Sequence, residues 1–274
     1  MSWRKKKKEI GKIKHKARLI ICLMFAVVIG LIILLTLRII KNNTGYYKVD
    51  SRVEELKKEK PIENSTYKAI GWLKIQGTNI DLPIVRGENE YEDFPVELES
   101  FVWAKNNFDK DSTYYDIAGH NIFNLSATPK IKSSSFYRFE QLMAFVYYDF
   151  AKNNEYIQLT IGDQDYIYKI FAVSFVGDGL STFFPTESNP SNDEIEKLLK
   201  VYESKSLYKY DVDVNANDKL ISLSTCTRFY GPKNDTGFYV VGRLLRDGES
   251  INHYKVTKSS NYNEIEKILK GDEK

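Results

Sequence analysis

Between Arg18 and Arg38 lie nineteen consecutive residues without a charge, Leu19 to Leu37, and any fold for this chain has to accommodate them. At about 1.5 Å per residue, a helix of that length spans the ~30 Å hydrocarbon core of a bilayer. A cleaved signal peptide usually has an apolar run of about 7–15 residues closed by a small-x-small site. Here Arg38-Ile39-Ile40-Lys41 follows instead, so residues 19–37 read as an uncleaved transmembrane signal anchor. Residues 1–18 hold nine basic side chains and one acidic one. The positive-inside rule keeps that segment in the cytoplasm and sends residues from about 42 onward outside. With no second such run, the expectation is a single-pass cell-membrane protein with an extracellular domain.

The formal charge of +3 is therefore local in origin: the first 18 residues carry +8, which leaves −5 for everything after them. That removes the main electrostatic argument for a nucleic-acid partner. With 42% hydrophobic and 28% charged residues, the composition is that of a globular protein. Two cysteines, Cys22 and Cys226, are too few for a disulfide framework, an iron–sulfur cluster or a multi-cysteine zinc site. No His/Cys cluster exists and the carboxylates are scattered, so neither a metal nor another cofactor is expected. Cys22 lies within the lipid segment, which leaves Cys226 without a partner in a disulfide-permitting compartment. It reads as a reactive nucleophile, a buried inert thiol or half of an intermolecular disulfide.

Past the anchor, Asn42 to Tyr47 forms a polar stalk, and Ser51-Arg-Val-Glu54 fits a capping box opening a charged helix that Pro61 stops. From Ala69 the texture becomes β-rich, with strands expected at Ala69–Ile75, Ile80–Val85, Ser100–Ala104, Tyr114–Ala118, Ala144–Tyr148, Tyr156–Ile161, Asp165–Val176, Leu220–Thr225 and Phe238–Leu245. Ser191-Asn-Asp-Glu194 caps a helix from Asn192 to about Ser204 whose apolar residues share one face. Residues 259–274 carry a weaker amphipathic pattern. The domain reading is a basic cytoplasmic segment (1–18), anchor (19–37), stalk and helix (38–60), one catalytic domain (61–247) and a tail (248–274). Many short strands and few helices point to a closed or sandwiched antiparallel sheet.

Alternation along Leu220–Thr225 places Ser222, Ser224 and Cys226 on one side of a strand, with the thiol at the strand's end, where nucleophiles often sit. Of three histidines, His15 belongs to the basic head and His253 to the polar tail, while His120 follows Gly119 at a strand end. His120 is either an ordinary turn histidine or a cleft residue. Phe238–Leu245 follows Cys226 across a Gly/Pro/Asn/Asp loop and should pair with its strand. Arg243 within it needs a carboxylate partner, or serves as a fixed cation beside Cys226 able to bind a developing oxyanion.

Ser-Leu-Ser-Thr-Cys226, Ala-Gly-His120-Asn and Val-Gly-Arg243-Leu, in that chemistry and in the chain order histidine, cysteine, arginine, resemble the motifs of sortases, the membrane-anchored cysteine transpeptidases of Gram-positive bacteria. The similarity covers about residues 69–246. Gly71 to Val85, the amino-terminal helix and the helix at 192–204 resemble class B. The chain departs from that pattern in a longer stretch at Asn124–Ser135, in Thr227 after the cysteine, and in a tail beyond Asp247. The resemblance implies a closed antiparallel eight-stranded β-barrel with an amino-terminal helix, an inserted helix before the cysteine strand and one transmembrane helix. It implies Cys226, His120 and Arg243 as catalytic residues and Ser224 and Thr225 as substrate-groove contacts. The partners would be surface proteins with a carboxy-terminal sorting signal of Asn-Pro-Gln-Thr-Asn type, cut after Thr, and a peptidoglycan or lipid II amine. Ordinary pKa values near 8.5 and 6.5 favour the neutral Cys–His pair about a hundredfold over thiolate–imidazolium, so turnover is expected to be slow. Pilin polymerisation, an exported cysteine hydrolase and a non-enzymatic anchored β-domain are the competing readings.

Overall fold

The computed structural model describes residues 18, 20–37, 68–86, 102–122, 124–126, 128–131, 138–177, 184–231 and 236–271. The expected stalk and the capping-box helix at Ser51 lie outside them. The chain divides into two compact units, Met1–Tyr47 and Lys48–Lys274. In the first, helix α1 covers Ile20–Leu37 with a mean hydropathy of 3.2, long and apolar enough to cross a membrane. Its polar side chain Thr36 returns its hydroxyl to the carbonyl of Ile32 at 2.8 Å, which satisfies that group without water.

The second unit is built on eight strands: β1 (Lys68–Ile75), β2 (Asp81–Arg86), β3 (Val102–Ala104), β4 (Tyr114–Gly119), β5 (Tyr156–Ile161), β6 (Gln164–Val176), β8 (Leu220–Thr227) and β9 (Thr236–Leu244). They close into the eight-stranded barrel that the resemblance implies, in the order β1-β2-β3-β4-β8-β9-β6-β5. The sheet is not antiparallel throughout, because β2 runs parallel to β3 and β4 parallel to β8. Alternation within a strand says which side chains share a face, not which neighbour it meets or in which direction. The β4–β8 seam joins segments about a hundred residues apart, beyond the reach of local pattern.

Alternation sends Tyr115 and Ile117 of β4, Ile221 and Leu223 of β8, and Phe238 and Val240 of β9 into the main core. The opposite face of the same strands is covered in part by α3 (Asn192–Lys205), whose Ile195, Leu198 and Tyr202 pack with Tyr114, Leu220 and Val241 in a second cluster. Each such aliphatic side chain contributes about 1.5–3 kcal/mol by leaving water. The expected capping box is present in full: Ser191 Oγ accepts from Glu194 N, and Glu194 accepts from Ser191 N. Where α3 stops covering the outer sheet face, the strand ends stand open.

The strand expected at Ala144–Tyr148 is instead the end of a 3₁₀ segment, Arg138–Val146, followed by the short helix α2 (Tyr148–Ala151). Phe139 and Leu142 to Val146 are all buried, and an apolar run closed in on every side carries no periodicity to separate helix from strand. Two short strands without a sequence signal, β7 (Tyr208–Tyr210) and β10 (Val256–Lys258), form a separate antiparallel pair. Together with α4 (Tyr262–Lys270) they bring the tail onto the domain, where Val256, Tyr262 and Ile265 join the main core.

Candidate active site

Strands β4 and β8 run side by side with Ala118 opposite Ser224, so their ends, carrying His120 and Cys226, emerge together. Two hydrogen bonds hold the ends in register. Thr225 Oγ1 donates to the carbonyl of Gly119 at 2.7 Å, and Asn121 Nδ2 donates to the carbonyl of Cys226 at 2.9 Å. The residues on either side of His120 are thus tied to Cys226 and its neighbour. The Cys226 side chain is exposed and His120 is half-buried. Both line a cleft of about 450 Å³ on the outer sheet face, with Ser224, Thr225, Trp103, Lys105 and Tyr239 also in its wall.

Asn121 has a second task. Its Nδ2 also donates to Asn124 O at 3.1 Å, and its Oδ1 accepts from Asn124 N at 3.2 Å. Asn124 in turn accepts from Lys130 N at 2.7 Å and donates to Lys130 O and Glu140 O. The stretch that departs from the family pattern is therefore organised, at its start, by two buried carboxamides supplying the bonds that its backbone lacks.

Arg243 does not reach this cleft. In the β8–β9 pairing Cys226 faces Gly237, whereas Arg243 faces Leu220 at the far end of β8. Six residues along the strand amount to roughly 20 Å. There the guanidinium, 2% exposed, donates to Asp213 O at 2.8 Å, to Leu244 O at 3.1 Å and to both carboxylate oxygens of Glu249. Of the two roles the sequence left open, the ion pair is the one realised. The hairpin was expected correctly. Its register was not, because the loop between the strands sets which residue of β9 stands opposite the thiol. A β-carbon at Gly237 would fall 2.6 Å from Tyr239 Cε2, so the glycine there lets the Tyr239 ring pack close against the strand beside Cys226.

Among the described residues, Lys105 and His120 are the basic side chains in the cleft wall. Lys105 Nζ lies 3.1 Å from Asp116 Oδ2. Burial pushes the Asp116 carboxyl above its ordinary value while the lysine beside it pulls the other way. Among the described residues no group of three or more His, Cys, Asp or Glu side chains is placed to hold a metal ion.

A buried sheet face half covered by a helix, with a strand-end cysteine and histidine in the open half, can be set against known proteins. No family model matches the chain. Sortase B of Listeria monocytogenes serovar 1/2a (strain ATCC BAA-679 / EGD-e) is 27% identical over 194 residues, which are 66% of this chain and 69% of the relative. The X-ray structure of Clostridium perfringens sortase B is 28% identical, covers 67% of this chain and 96% of its own, and superposes with a TM-score of 0.54. Both comparisons support a class B-like sortase. A Staphylococcus aureus sortase B–substrate complex, 15% identical with a TM-score of 0.54 over 78% of this chain and 98% of that one, shares the fold. The same likenesses support a sortase-type cysteine transpeptidase in general terms. The sequence reading of this sortase overlooked Trp103, Lys105, Asn121 and Tyr239. Each is an ordinary strand or turn residue on its own, and only Asn121 falls in a quoted motif, where it stood as the residue after His120 with no role of its own.

Proposed function

We propose that this sortase is a membrane-anchored transpeptidase in which Cys226 is the nucleophile and His120 the general acid and base. The observation that supports it is the pair of bonds, Thr225 to Gly119 and Asn121 to Cys226, that seats the two side chains at one cleft. The Cys226 thiolate attacks the carbonyl carbon after the Thr of a carboxy-terminal sorting signal, forming a C–S bond. As the peptide C–N bond breaks, the leaving amine takes a proton from the His120 imidazolium, and a thioester remains. A peptidoglycan or lipid II amine then attacks the thioester and gives its proton to neutral His120, and the C–S bond breaks to restore the thiolate. Thr225 has its hydroxyl engaged by Gly119, so its part is to hold the strand ends, while Ser224 offers the groove contact. Helix α1 serves as the anchor, with the basic segment in the cytoplasm and the barrel outside. Arg243 has no part in the site.

The test uses a sorting-signal peptide with a small amine acceptor. The native protein is expected to give the amine adduct and Cys226→Ala none. Adduct formation by Cys226→Ala would overturn the assignment, and free acid without adduct from the native protein would make it an exported cysteine hydrolase instead.

A further inference from the structure

Trp103 belongs to β3, opposite Ala118 of β4, and its indole lies against the His120 ring with centroids 4.8 Å apart and planes tilted by 53°. It is 9% exposed, and the mechanism above does not use it. We propose that Trp103 is a positioning residue that sets the orientation of the His120 ring and stabilises its charged form, an inference that rests on the acid–base role proposed for His120.

His120 follows the last residue of β4, so its backbone is held on both sides while its side chain depends on what packs against it. A cation within about 6 Å of an aromatic centroid is attracted by the ring's negative face, and among the aromatic side chains tryptophan attracts most strongly. Among the described residues, the other titratable groups facing the cleft are Cys226 from β8, Tyr239 from β9 and Lys105, the residue after β3. Lys105 is a like charge, balanced by Asp116 at 3.1 Å. The indole is thus a neutral group that favours imidazolium without sequestering its proton from a substrate amine. Each unit by which the His120 pKa rises makes the thiolate–imidazolium pair tenfold more populated.

Full-length protein in detergent is titrated by NMR at its imidazole resonances, three histidines being few enough to assign by single substitutions. Trp103→Leu is expected to lower the His120 pKa by about half to one unit. It should move the acidic limb of the transfer–pH profile down by the same amount, and cut the neutral-pH rate roughly three- to tenfold. Trp103→Phe keeps a smaller ring face and is expected to show a smaller shift in the same direction; it carries the test where the leucine variant does not fold. An unchanged His120 pKa in a folded variant overturns the proposal. The shift should persist in a Cys226→Ala background, where no thiolate contributes. That measurement needs no turnover, so its failure is distinguishable from a failure of the proposed reaction.

Discussion

A β-carbon added to Gly119 would fall 2.3 Å from Phe139 Cδ1, a buried ring with nowhere to retreat. The glycine ahead of the histidine therefore answers to close packing as the chain leaves β4, and to the Thr225 hydroxyl that its carbonyl receives. Gly119→Ala is expected to destabilise the domain by about 1–3 kcal/mol through overpacking, and to reduce transfer by displacing His120; urea midpoints and single-turnover rates measure the two effects separately. Asn121→Ala removes the donor to Cys226 O and Asn124 O and the acceptor for Asn124 N, in a residue 6% exposed. Its expected cost is about 1–3 kcal/mol, with a loss of rate greater than that of an equally destabilised variant remote from the cleft. Neither role is visible in a sequence where both residues pass for turn formers.

At the level of elements, α3 was the most legible part of the molecule, because a capping box and an apolar stripe are properties of a dozen adjacent residues. Ser191→Ala should cost about 1 kcal/mol, seen as a lower melting temperature with little change in transfer, since the cap stands at the helix's exposed start. The strands were legible for the same reason and erred where that reason fails, as at Ala144–Tyr148. β3 shows the other limit. Expected within Ser100–Ala104, it places Trp103 in the cleft wall and leads into Lys105, yet nothing in its few residues says that they face the histidine.

Across the whole molecule, the barrel separates two polar constellations by the length of β8. At the far end, Arg243 and Lys169 both meet Glu249, in the turn beyond β9, and Arg246 grips Asp218 through two 2.7 Å bonds. The Arg243 guanidinium holds the Glu249 carboxyl well below the usual carboxylate range. A carboxylate depressed on folding contributes stability that is full above its unfolded pKa near 4.3 and is lost as pH falls through the folded value. Glu249→Gln is expected to cost about 3 kcal/mol at neutral pH by leaving a buried guanidinium without its counter-charge, and to flatten the loss of stability below about pH 4. The transfer rate of the folded fraction should stay unchanged, because the network lies roughly 20 Å from the thiol. Chemical denaturation at pH 7 and pH 3.5 together with a rate assay checks all three outcomes.

The amino-acid sequence by itself determined an apolar helix of membrane length, the identity and faces of most strands, the cap of α3 and the strand-end positions of Cys226 and His120. Each of these depends on interactions within a few residues. Tertiary structure decided that β4 and β8 run parallel, that Gly237 rather than Arg243 stands opposite Cys226, and that a tryptophan from a three-residue strand lies against the histidine. Those outcomes follow from barrel closure and strand register, where one choice of loop length shifts every partner along the ladder, and no local pattern of side chains encodes it.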